Sequence, residues 1–429
     1  MSVRHLISIF IIHSIVLCFI TISNGETQEL SLNISRFGAD LYQECASQSI
    51  DKNIIMSPFS IAIALALLSQ GAHGNTFEQI AHGLHLEANK TAIANRFALN
   101  NDLLRKSAGQ STLLIANQLY IGQTFQIKQS FRDVAESKFK SGIETINFTN
   151  YDAAARTINS FVENATNNKI KDFVKPGPDF ARTALIIVNA IYFKGTWEKE
   201  FRKSDTSPDD FYLDAMNIIT VDFMRKTEYY RFIQMKDFKA SALELRYKNS
   251  NISFVAILPN SKTGLAALEA SIANVDLMQI TSKMRVKEVD IKLPKFKIES
   301  EIKLNDILKN LGMTDMFGET AALGGLLDSS QPLKVSEATH KAFIEVNEEG
   351  SEAAAATGLR VVPYSSEPPP PPELFHADHP FLYYILDRNS NTVFFTGRCI
   401  KIDDKMSTLR ELSVWSIKGL YAKIDSLFS

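Results

Sequence analysis

The sequence predicts a globular protein of the α+β class. Its 429 residues are 45% hydrophobic and 22% charged, as is usual for a folded protein with a substantial core. Near the N-terminus apolar residues recur at helical spacing, at Leu32, Phe37 and Leu41. Farther along, residues 111–121 and 184–193 alternate in the manner of strands. The formal net charge of −2 favours neither nucleic acid nor an anionic membrane as a partner.

The N-terminal 25 residues have the pattern of a secretory signal peptide. Arg4 and His5 precede an apolar run over residues 6–22, and residues 23–25 place small side chains at a cleavage site. A transmembrane anchor is the alternative, although the run is short for a span and contains polar residues. We therefore expect a secreted, extracellular protein without a membrane span.

Cysteines and glycosylation triplets agree with secretion. Cys18 belongs to the expected signal peptide, which leaves Cys45 and Cys399 in the mature chain. Two cysteines cannot build a disulfide framework, and whether these two pair is open. Five Asn-X-Ser/Thr triplets mark potential glycan sites, which we expect on the surface, at Asn33, Asn89, Asn147, Asn164 and Asn251.

Helices are predicted mainly in the first part of the chain. Ser57 can cap a helix and Pro58 suits its first position. Residues 61–68 are apolar on almost every side, which predicts a buried helix. The basic residues of the segment 77–104 are few and scattered, so we do not expect it to bind a heparin-like polysaccharide. Further helices are predicted over residues 30–49, 77–104, where two helices meet at a polar join, and 151–173.

Strands are predicted mainly in the second part. Residues 211–258 are rich in strand patterns, and 254–258 form an apolar run of buried-strand length. A helix over 304–311 ends at Gly312. A second helix is predicted over 265–281 and a strand over 289–298.

Residues 345–357 differ from the rest because they end in small side chains without an apolar helical face. With the period of a strand, one face carries Ser351, Ala353, Ala355 and Thr357, and the other carries Glu352, Ala354 and Ala356. The first face would pass between two existing strands without a steric or charge barrier. Gly350 can adopt backbone angles that other residues avoid, so it can act as a hinge. An exposed Ala-rich linker is the alternative.

This segment resembles the proximal hinge of the serpins, a family of serine-protease inhibitors. Residues 189–197 (Asn-Ala-Ile-Tyr-Phe-Lys-Gly-Thr-Trp) and 337–342 (Glu-Ala-Thr-His-Lys-Ala) match two more motifs of that family. The resemblance implies the serpin fold, with three β-sheets surrounded by eight to nine helices and an exposed reactive-centre loop. With the expected signal peptide at 1–25, it implies a serpin domain at 26–402, and it leaves 403–429 as a C-terminal extension.

The resemblance assigns roles to individual residues. The shutter, beneath the point where the main sheet opens, would consist of Ser57, Ser60, Asn189 and His340. The breach, where the loop enters the sheet, would consist of Trp197, Lys295 and Glu348. Lys295 would pair with Glu348 at the base of the loop. Helix capping by Ser57 and ordinary core roles for the other residues are the alternatives.

Family geometry places the scissile residue seventeenth when Glu348 counts as the first, so the reactive bond joins Tyr364 and Ser365. A tyrosine before the bond suits a deep apolar pocket, so the expected partner is a chymotrypsin-like or cathepsin G-like serine protease. The alternatives are a trypsin-like protease that recognises Arg360, and a non-inhibitory serpin for carriage or storage. Five consecutive prolines, at 368–372, lengthen the loop after the bond.

Enzymatic and metal-binding functions have little support. The sequence has no Gly-X-Ser-X-Gly elbow, His-Glu-X-X-His motif or phosphate loop, so we expect neither an enzyme nor a cofactor. His82 and His85 have a spacing seen in metal sites but no third ligand, so no metal is assigned. We expect a monomer. The apolar residues of 403–429 would share one face of an amphipathic helix of unassigned purpose, and partial disorder is the alternative.

Overall fold

The computed structural model describes residues 3–272, 275, 277–349 and 370–402, with nearly all side chains from residue 25 onward. The helices of these residues are α1 (Val3–Gln48), α2 (Pro58–Gly71), α3 (Gly74–Gly83), α4 (Lys90–Ala108), α5 (Gln129–Val134), α6 (Tyr151–Ala165), α7 (Leu265–Ile272), α8 (Leu277–Lys283) and α9 (Leu304–Asn310). The strands are β1 (Ile54–Met56), β2 (Thr112–Gly122), β3 (Gly142–Ile146), β4 (Leu185–Lys194), β5 (Ser207–Tyr212), β6 (Ile218–Met235), β7 (Ala240–Arg246), β8 (Ile252–Pro259), β9 (Arg285–Pro294), β10 (Phe296–Lys303), β11 (Glu337–Val346), β12 (Glu373–His376), β13 (Phe381–Asp387) and β14 (Val393–Cys399).

Hydrogen bonding joins these strands into two sheets. One has five strands in the order β10-β11-β4-β2-β3. The other has nine, in the order β1-β14-β13-β8-β7-β6-β9-β12, with β5 also on β6. The long strand β6 divides the larger sheet into two lobes, since β5 pairs with its residues 218–223 and β9 with 223–232, whereas β7 pairs with its last residues, 231–235. These two lobes and the five-stranded sheet are the three sheets that the resemblance implies, and the α+β fold class is confirmed.

Helix α2 is buried on all sides, as its sequence predicts. The Ser57 hydroxyl accepts a hydrogen bond from the Ser60 N–H at 3.1 Å, and Pro58 occupies the first turn. Apart from Gln70, every residue of the helix is buried. Helix α2 packs against β2 and β4 of one sheet and β14 of the other. It thereby carries Ser57 and Ser60 into the centre of the molecule.

Helix α1 extends much farther toward the N-terminus than the helix predicted over residues 30–49, because it runs without a break from Val3 to Gln48. Leu30, Ile34, Phe37 and Leu41 face the core at helical spacing and are buried. Among the residues that the structure describes, none of the helices has the length and apolar character needed to cross a membrane. Removal of residues 1–25 as a signal peptide stays a prediction.

Three predicted elements end earlier or divide. Helix α6 ends eight residues before position 173, where Asn167 and Asn168 take left-handed backbone angles with φ of 52° and 57°. The helix predicted over 265–281 forms two helices, α7 and α8. The strand predicted over 289–298 divides at Lys295, whose N–H donates to the Asp222 carbonyl at 2.9 Å. Strands β9 and β10 on either side of it consequently belong to different sheets.

The two cysteines of the expected mature chain are free and buried, Cys45 in α1 and Cys399 in β14. Burial raises the pKa of the Cys45 thiol to about 12, and it raises the pKa of Cys399 as well. Both side chains are therefore protonated thiols at neutral pH. The sequence leaves open whether Cys45 and Cys399 form a disulfide. In the structure they do not, and both are unpaired residues of the core.

Candidate functional site at the β4–β11 junction

The central feature of the five-stranded sheet is the contact between β4 and β11. These strands run parallel, and each is antiparallel to its other neighbour. Their pairing extends from Ile186–Glu337 to Tyr192–Phe343. Strand β4 continues to Lys194 and β11 continues to Val346, so the last residues of the two strands are not paired with each other. An additional strand that follows β11 in the chain would run antiparallel to both if it entered this junction.

A buried cluster of hydrogen bonds holds the junction closed from the side of α2. Asn189 and His340 are opposite each other in the strand register, and His340 Nδ1 is hydrogen-bonded to Asn189 Oδ1. On the other side of the ring, Nε2 accepts from the Ser57 N–H at 3.0 Å. Asn189 Nδ2 donates to the carbonyl and hydroxyl oxygens of Ser60, each at 2.8 Å. The four residues of the expected shutter therefore lie together and link both strands to α2.

The charge state of His340 follows from these contacts. Because Nε2 accepts a backbone hydrogen bond, the ring proton is assigned to Nδ1, which donates to the Asn189 side chain. Burial disfavours the imidazolium and lowers the pKa of His340 to about 3, although the contact with Asn189 opposes this effect. The ring is therefore neutral at physiological pH.

Asn117 of β2 belongs to this cluster, and the sequence analysis missed it. It is opposite Asn189 in the register of β2 and β4, and its Oδ1 accepts from Asn189 Nδ2 and from the Ser60 hydroxyl, the latter at 3.3 Å. Its Nδ2 donates to the Ser60 carbonyl at 3.4 Å. A polar residue inside an otherwise buried strand was the available signal, because a buried amide needs partners.

At the open end of the junction, Trp197 holds the chain that leaves β11. The indole is buried and stacks on Tyr247 with ring centroids 4.6 Å apart. Its Nε1 donates to the Asn347 carbonyl at 2.9 Å, and its backbone N–H donates to the Glu349 carbonyl at 3.1 Å. The Phe201 N–H donates to the Glu348 carbonyl at 2.9 Å. The residues just before the predicted hinge are thus fixed over the end of β4.

The ion pair predicted between Lys295 and Glu348 is present, with Nζ and Oε1 3.0 Å apart. The side chain of Glu348 is only 6% exposed, whereas that of Lys295 is 37% exposed. Burial alone would raise the pKa of Glu348, but hydrogen bonds, including the one from Lys295, outweigh it and keep that pKa below its usual value. The Glu348 carboxylate is therefore ionised and held in place, and unlike the carboxylate of a surface ion pair it is almost completely shielded from solvent.

Comparison with known proteins identifies the family. The family model for "Serpin (serine protease inhibitor)" matches residues 32–402. The chain belongs to the serpin family. It is 37% identical to human Serpin B3 over 382 residues, which cover 85% of this chain and 97% of that protein. It is 35% identical to Antichymotrypsin-2 of Bombyx mori, with 84% of this chain and 95% of that protein covered.

Solved structures of the family have the same fold. Cleaved Serpin 42Da superposes with a TM-score of 0.79 at 35% identity and covers 88% of this serpin and 100% of its own chain. Human thyroxine-binding globulin, solved in complex with thyroxine, gives a TM-score of 0.78 at 26% identity, with 88% of this serpin and 99% of that chain covered. The family thus includes proteins named as protease inhibitors and a protein named for binding thyroxine.

Several residues that the sequence assigns to this serpin's loop lie outside the described residues. They comprise the reactive bond (Tyr364 and Ser365), the alternative Arg360 and the hinge residues Gly350, Ser351, Glu352, Ala353, Ala354, Ala355, Ala356 and Thr357. The C-terminal extension at 403–429 also lies outside them. Of the five consecutive prolines, the last three belong to the described residues and lie directly before β12.

The expected glycan sites differ in exposure. Asn89 and Asn164 are exposed, and Asn147 and Asn251 are partly exposed. Asn33 is only 7% exposed because it lies on the core-facing side of α1. Asn33 therefore does not lie on the surface as expected, whereas glycosylation itself stays a prediction at all five sites.

The described part of the molecule contains no candidate metal site. Among the residues that the structure describes, no three potential ligands cluster together. His85 is instead 2.7 Å from the Asp40 carboxylate.

Proposed function

We propose that this serpin inhibits serine proteases as a suicide substrate and is not an enzyme. The observation that carries the proposal is the β4–β11 junction, whose two parallel strands are unpaired at one end, where the chain that leaves β11 is anchored at Glu348 and Glu349. The small side chains after Gly350 are suited to enter that junction as a new strand. Such a strand would lie antiparallel to both neighbours.

The reaction begins as ordinary proteolysis. The catalytic serine of the protease attacks the carbonyl carbon of Tyr364, the bond to Ser365 breaks, and the amine of Ser365 leaves. The acyl group of Tyr364 is then an ester on the protease. Insertion of the freed segment carries the attached enzyme to the far end of the sheet before water can hydrolyse the ester.

Insertion has an evident driving force and an evident barrier. Ten to fifteen new backbone hydrogen bonds would together stabilise the inserted state by on the order of 10 kcal/mol. To admit a strand, β4 and β11 must separate by one further strand spacing of about 4.8 Å. That movement breaks the contact between His340 and Asn189, so the intact protein is held in a kinetic trap.

The target preference follows from Tyr364. A large aromatic side chain before the scissile bond fills a deep apolar pocket, so we infer a chymotrypsin-like or cathepsin G-like protease. The name of the relative Antichymotrypsin-2 agrees with this choice. A trypsin-like target recognising Arg360, and carriage of a small molecule as in thyroxine-binding globulin, are the alternatives. We further propose that the protein is secreted, because residues 1–25 have the pattern of a signal peptide.

Incubation with chymotrypsin tests the proposal. We expect a complex that survives SDS and boiling, and mass spectrometry should locate the cut between Tyr364 and Ser365. Tyr364→Gly should slow complex formation about 100-fold or more, because it removes the aromatic group from the enzyme's apolar pocket.

Arg360→Gly is the matched control and should leave the rate with chymotrypsin unchanged. Complete cleavage without a stable complex would contradict inhibition. If Arg360→Gly slows complex formation and Tyr364→Gly does not, the reactive bond instead follows Arg360.

A further inference from the structure

A groove of about 380 Å³ runs along α1, between that helix and the pair α7 and α8. Residues of β13 and β14 form its floor. The wall contributed by α1 includes four small residues, Ser35, Gly38, Ala39 and Ala46. Small side chains let another helix approach closely. None of the residues assigned above to the shutter or the breach lines this groove.

The groove is mostly apolar, and its one charge is already paired. Among the described lining residues, only Glu269 is charged. Its Oε1 accepts from the Tyr42 hydroxyl and from Arg398 Nη1, the latter at 3.0 Å. A cationic ligand therefore gains little here, whereas apolar side chains that enter the groove would be removed from water. The lining thus matches an apolar occupant.

The chain reaches one end of this groove just before it leaves the described residues. Ile400 packs against the same apolar cluster as three lining residues, Tyr42, Val275 and Tyr384. Asn53, which follows the end of α1 by five residues, donates through Nδ2 to the Lys401 carbonyl at 2.6 Å. The C-terminal extension at 403–429 therefore begins beside the end of the groove at which α1 ends.

The sequence of the extension, which lies outside the described residues, fits the groove. With helical spacing, one face would carry Leu409, Leu412, Ile417, Leu420, Ile424 and Leu427. The opposite face would carry Glu411, Lys418 and Asp425. A helix over residues 409–427 would be about 27 Å long, and the part of α1 from Ser35 to Ala46 spans about 17 Å. The extension is therefore long enough to cover the groove.

The charge of the extension argues against a membrane surface as the partner of its apolar face. Helices that lie on anionic membranes are rich in lysine and arginine on their polar side. The extension instead has four basic residues, Lys405, Arg410, Lys418 and Lys423, and four acidic ones, Asp403, Asp404, Glu411 and Asp425. Its own groove is the better match, because the chain holds the two at a high effective concentration.

We propose that the C-terminal extension folds back as a helix onto this groove of the same molecule. The extension starts where α1 ends and returns along it, so the two helices are antiparallel. In this arrangement Leu412 lies near Ala46, and Leu420 lies near Ala39. The extension thereby fills the groove and excludes other occupants.

Thiol reactivity in the groove, measured on the protein with its complete extension, tests the proposal. Ala39→Cys places a small reactive group in the wall, and a maleimide that carries a polyethylene glycol chain reports its accessibility as a gel shift. Cys45 and Cys399 are buried, protonated thiols and should not react. Adding Leu420→Asp should speed labelling at least ~10-fold, because a charged side chain is not stable in an apolar groove and the extension is released.

Ala422→Asp is the matched control. Ala422 is two residues from Leu420 but on the opposite side of the expected helix, and both substitutions introduce the same side chain. With Ala422→Asp the thiol should stay protected, with labelling within about twofold of the rate for the unchanged extension, since no contact with the groove is removed. Ser47→Cys, at an exposed position of α1 outside the groove, should react equally with every extension. Ser35→Cys is the second groove position if Ala39→Cys does not fold.

Equal labelling with all three extensions would overturn the proposal, and so would equal exposure of the thiol by Leu420→Asp and Ala422→Asp. Protection that increases with protein concentration would assign the groove to the extension of a second copy, which contradicts docking within one molecule. Equal labelling together with binding to vesicles of equal parts phosphatidylserine and phosphatidylcholine would assign the apolar face to a membrane surface instead. No protease is present, so the outcome is independent of the inhibitory mechanism.

Discussion

At the residue level, His340 is the most constrained group of the junction, because it is fully buried and both ring nitrogens are engaged. One nitrogen bonds to the neighbouring strand and the other to the start of α2. The imidazole can keep both bonds only in the neutral form, since protonation of Nε2 would oppose it to the Ser57 N–H. Protonation of this one side chain would therefore break one of the two bonds by which it links β11 to β4 and to α2.

A pH dependence follows from the low pKa of His340. Because folding lowers this pKa from about 6.5 to about 3, the unfolded state binds the extra proton between these values. Stability is full above pH ~6.5 and falls with decreasing pH by up to about 1.4 kcal/mol per unit until pH ~3. The apparent melting temperature should therefore drop more between pH 7 and pH 5 in the wild type than in His340→Gln. Equal drops in the two proteins would assign the effect to other groups.

At the level of elements, sequence patterns predicted those elements, such as α2, that depend mainly on residues close together in the chain. Capping by Ser57 and the uniformly apolar run after it were enough to predict α2. The pairing of β4 with β11 joins residues about 150 positions apart, so periodicity could not reveal it, and only the grouping of Asn189 with His340 was expected, from the family resemblance. Asn117 was missed for the same reason, because its partners come from α2 and β4. Helix α6 ends just before Asn167 and Asn168, which adopt left-handed backbone angles. The spacing of apolar residues carries no information about these angles, so the end of the helix was predicted too late.

The hinge gives a prediction at this level. Ala355→Arg places a long charged side chain on the small-sided face, so insertion should slow and the protease should finish hydrolysis. The ratio of inhibitor molecules hydrolysed to inhibitor molecules trapped should rise about tenfold, since a barrier higher by about 1.4 kcal/mol changes the ratio of two rates by that factor, and the number of inhibitor molecules consumed per chymotrypsin should rise with it. Titration of residual chymotrypsin activity measures this number.

Ala354→Arg is the matched control for the hinge. Its side chain falls on the opposite face, where Glu352 already carries a charge, so its effect should be smaller. An SDS-resistant complex with undiminished stoichiometry in Ala355→Arg would exclude strand insertion along this face.

At the level of the whole molecule, the proposed mechanism requires the intact protein to store free energy. In that mechanism a sixth strand, formed by the segment that begins after Glu349, enters the five-stranded sheet between β4 and β11. The Lys295–Glu348 ion pair, the contacts of Trp197 and the buried cluster around His340 all stabilise the closed arrangement. Under the proposed mechanism they form a barrier to a more stable state, so we expect the intact protein to be less stable than its cleaved product.

Cleavage of the loop tests this relation directly. Once the loop is cut, the segment after Gly350 is free to insert, and the new hydrogen bonds should raise the melting temperature by tens of degrees, as a gain on the order of 10 kcal/mol implies. Differential scanning calorimetry of the intact and cleaved protein measures the change, and cleaved Ala355→Arg should gain much less. If the cleaved wild type melts no higher than the intact protein, the junction does not accept the loop, and carriage of a small molecule becomes the better account of this serpin.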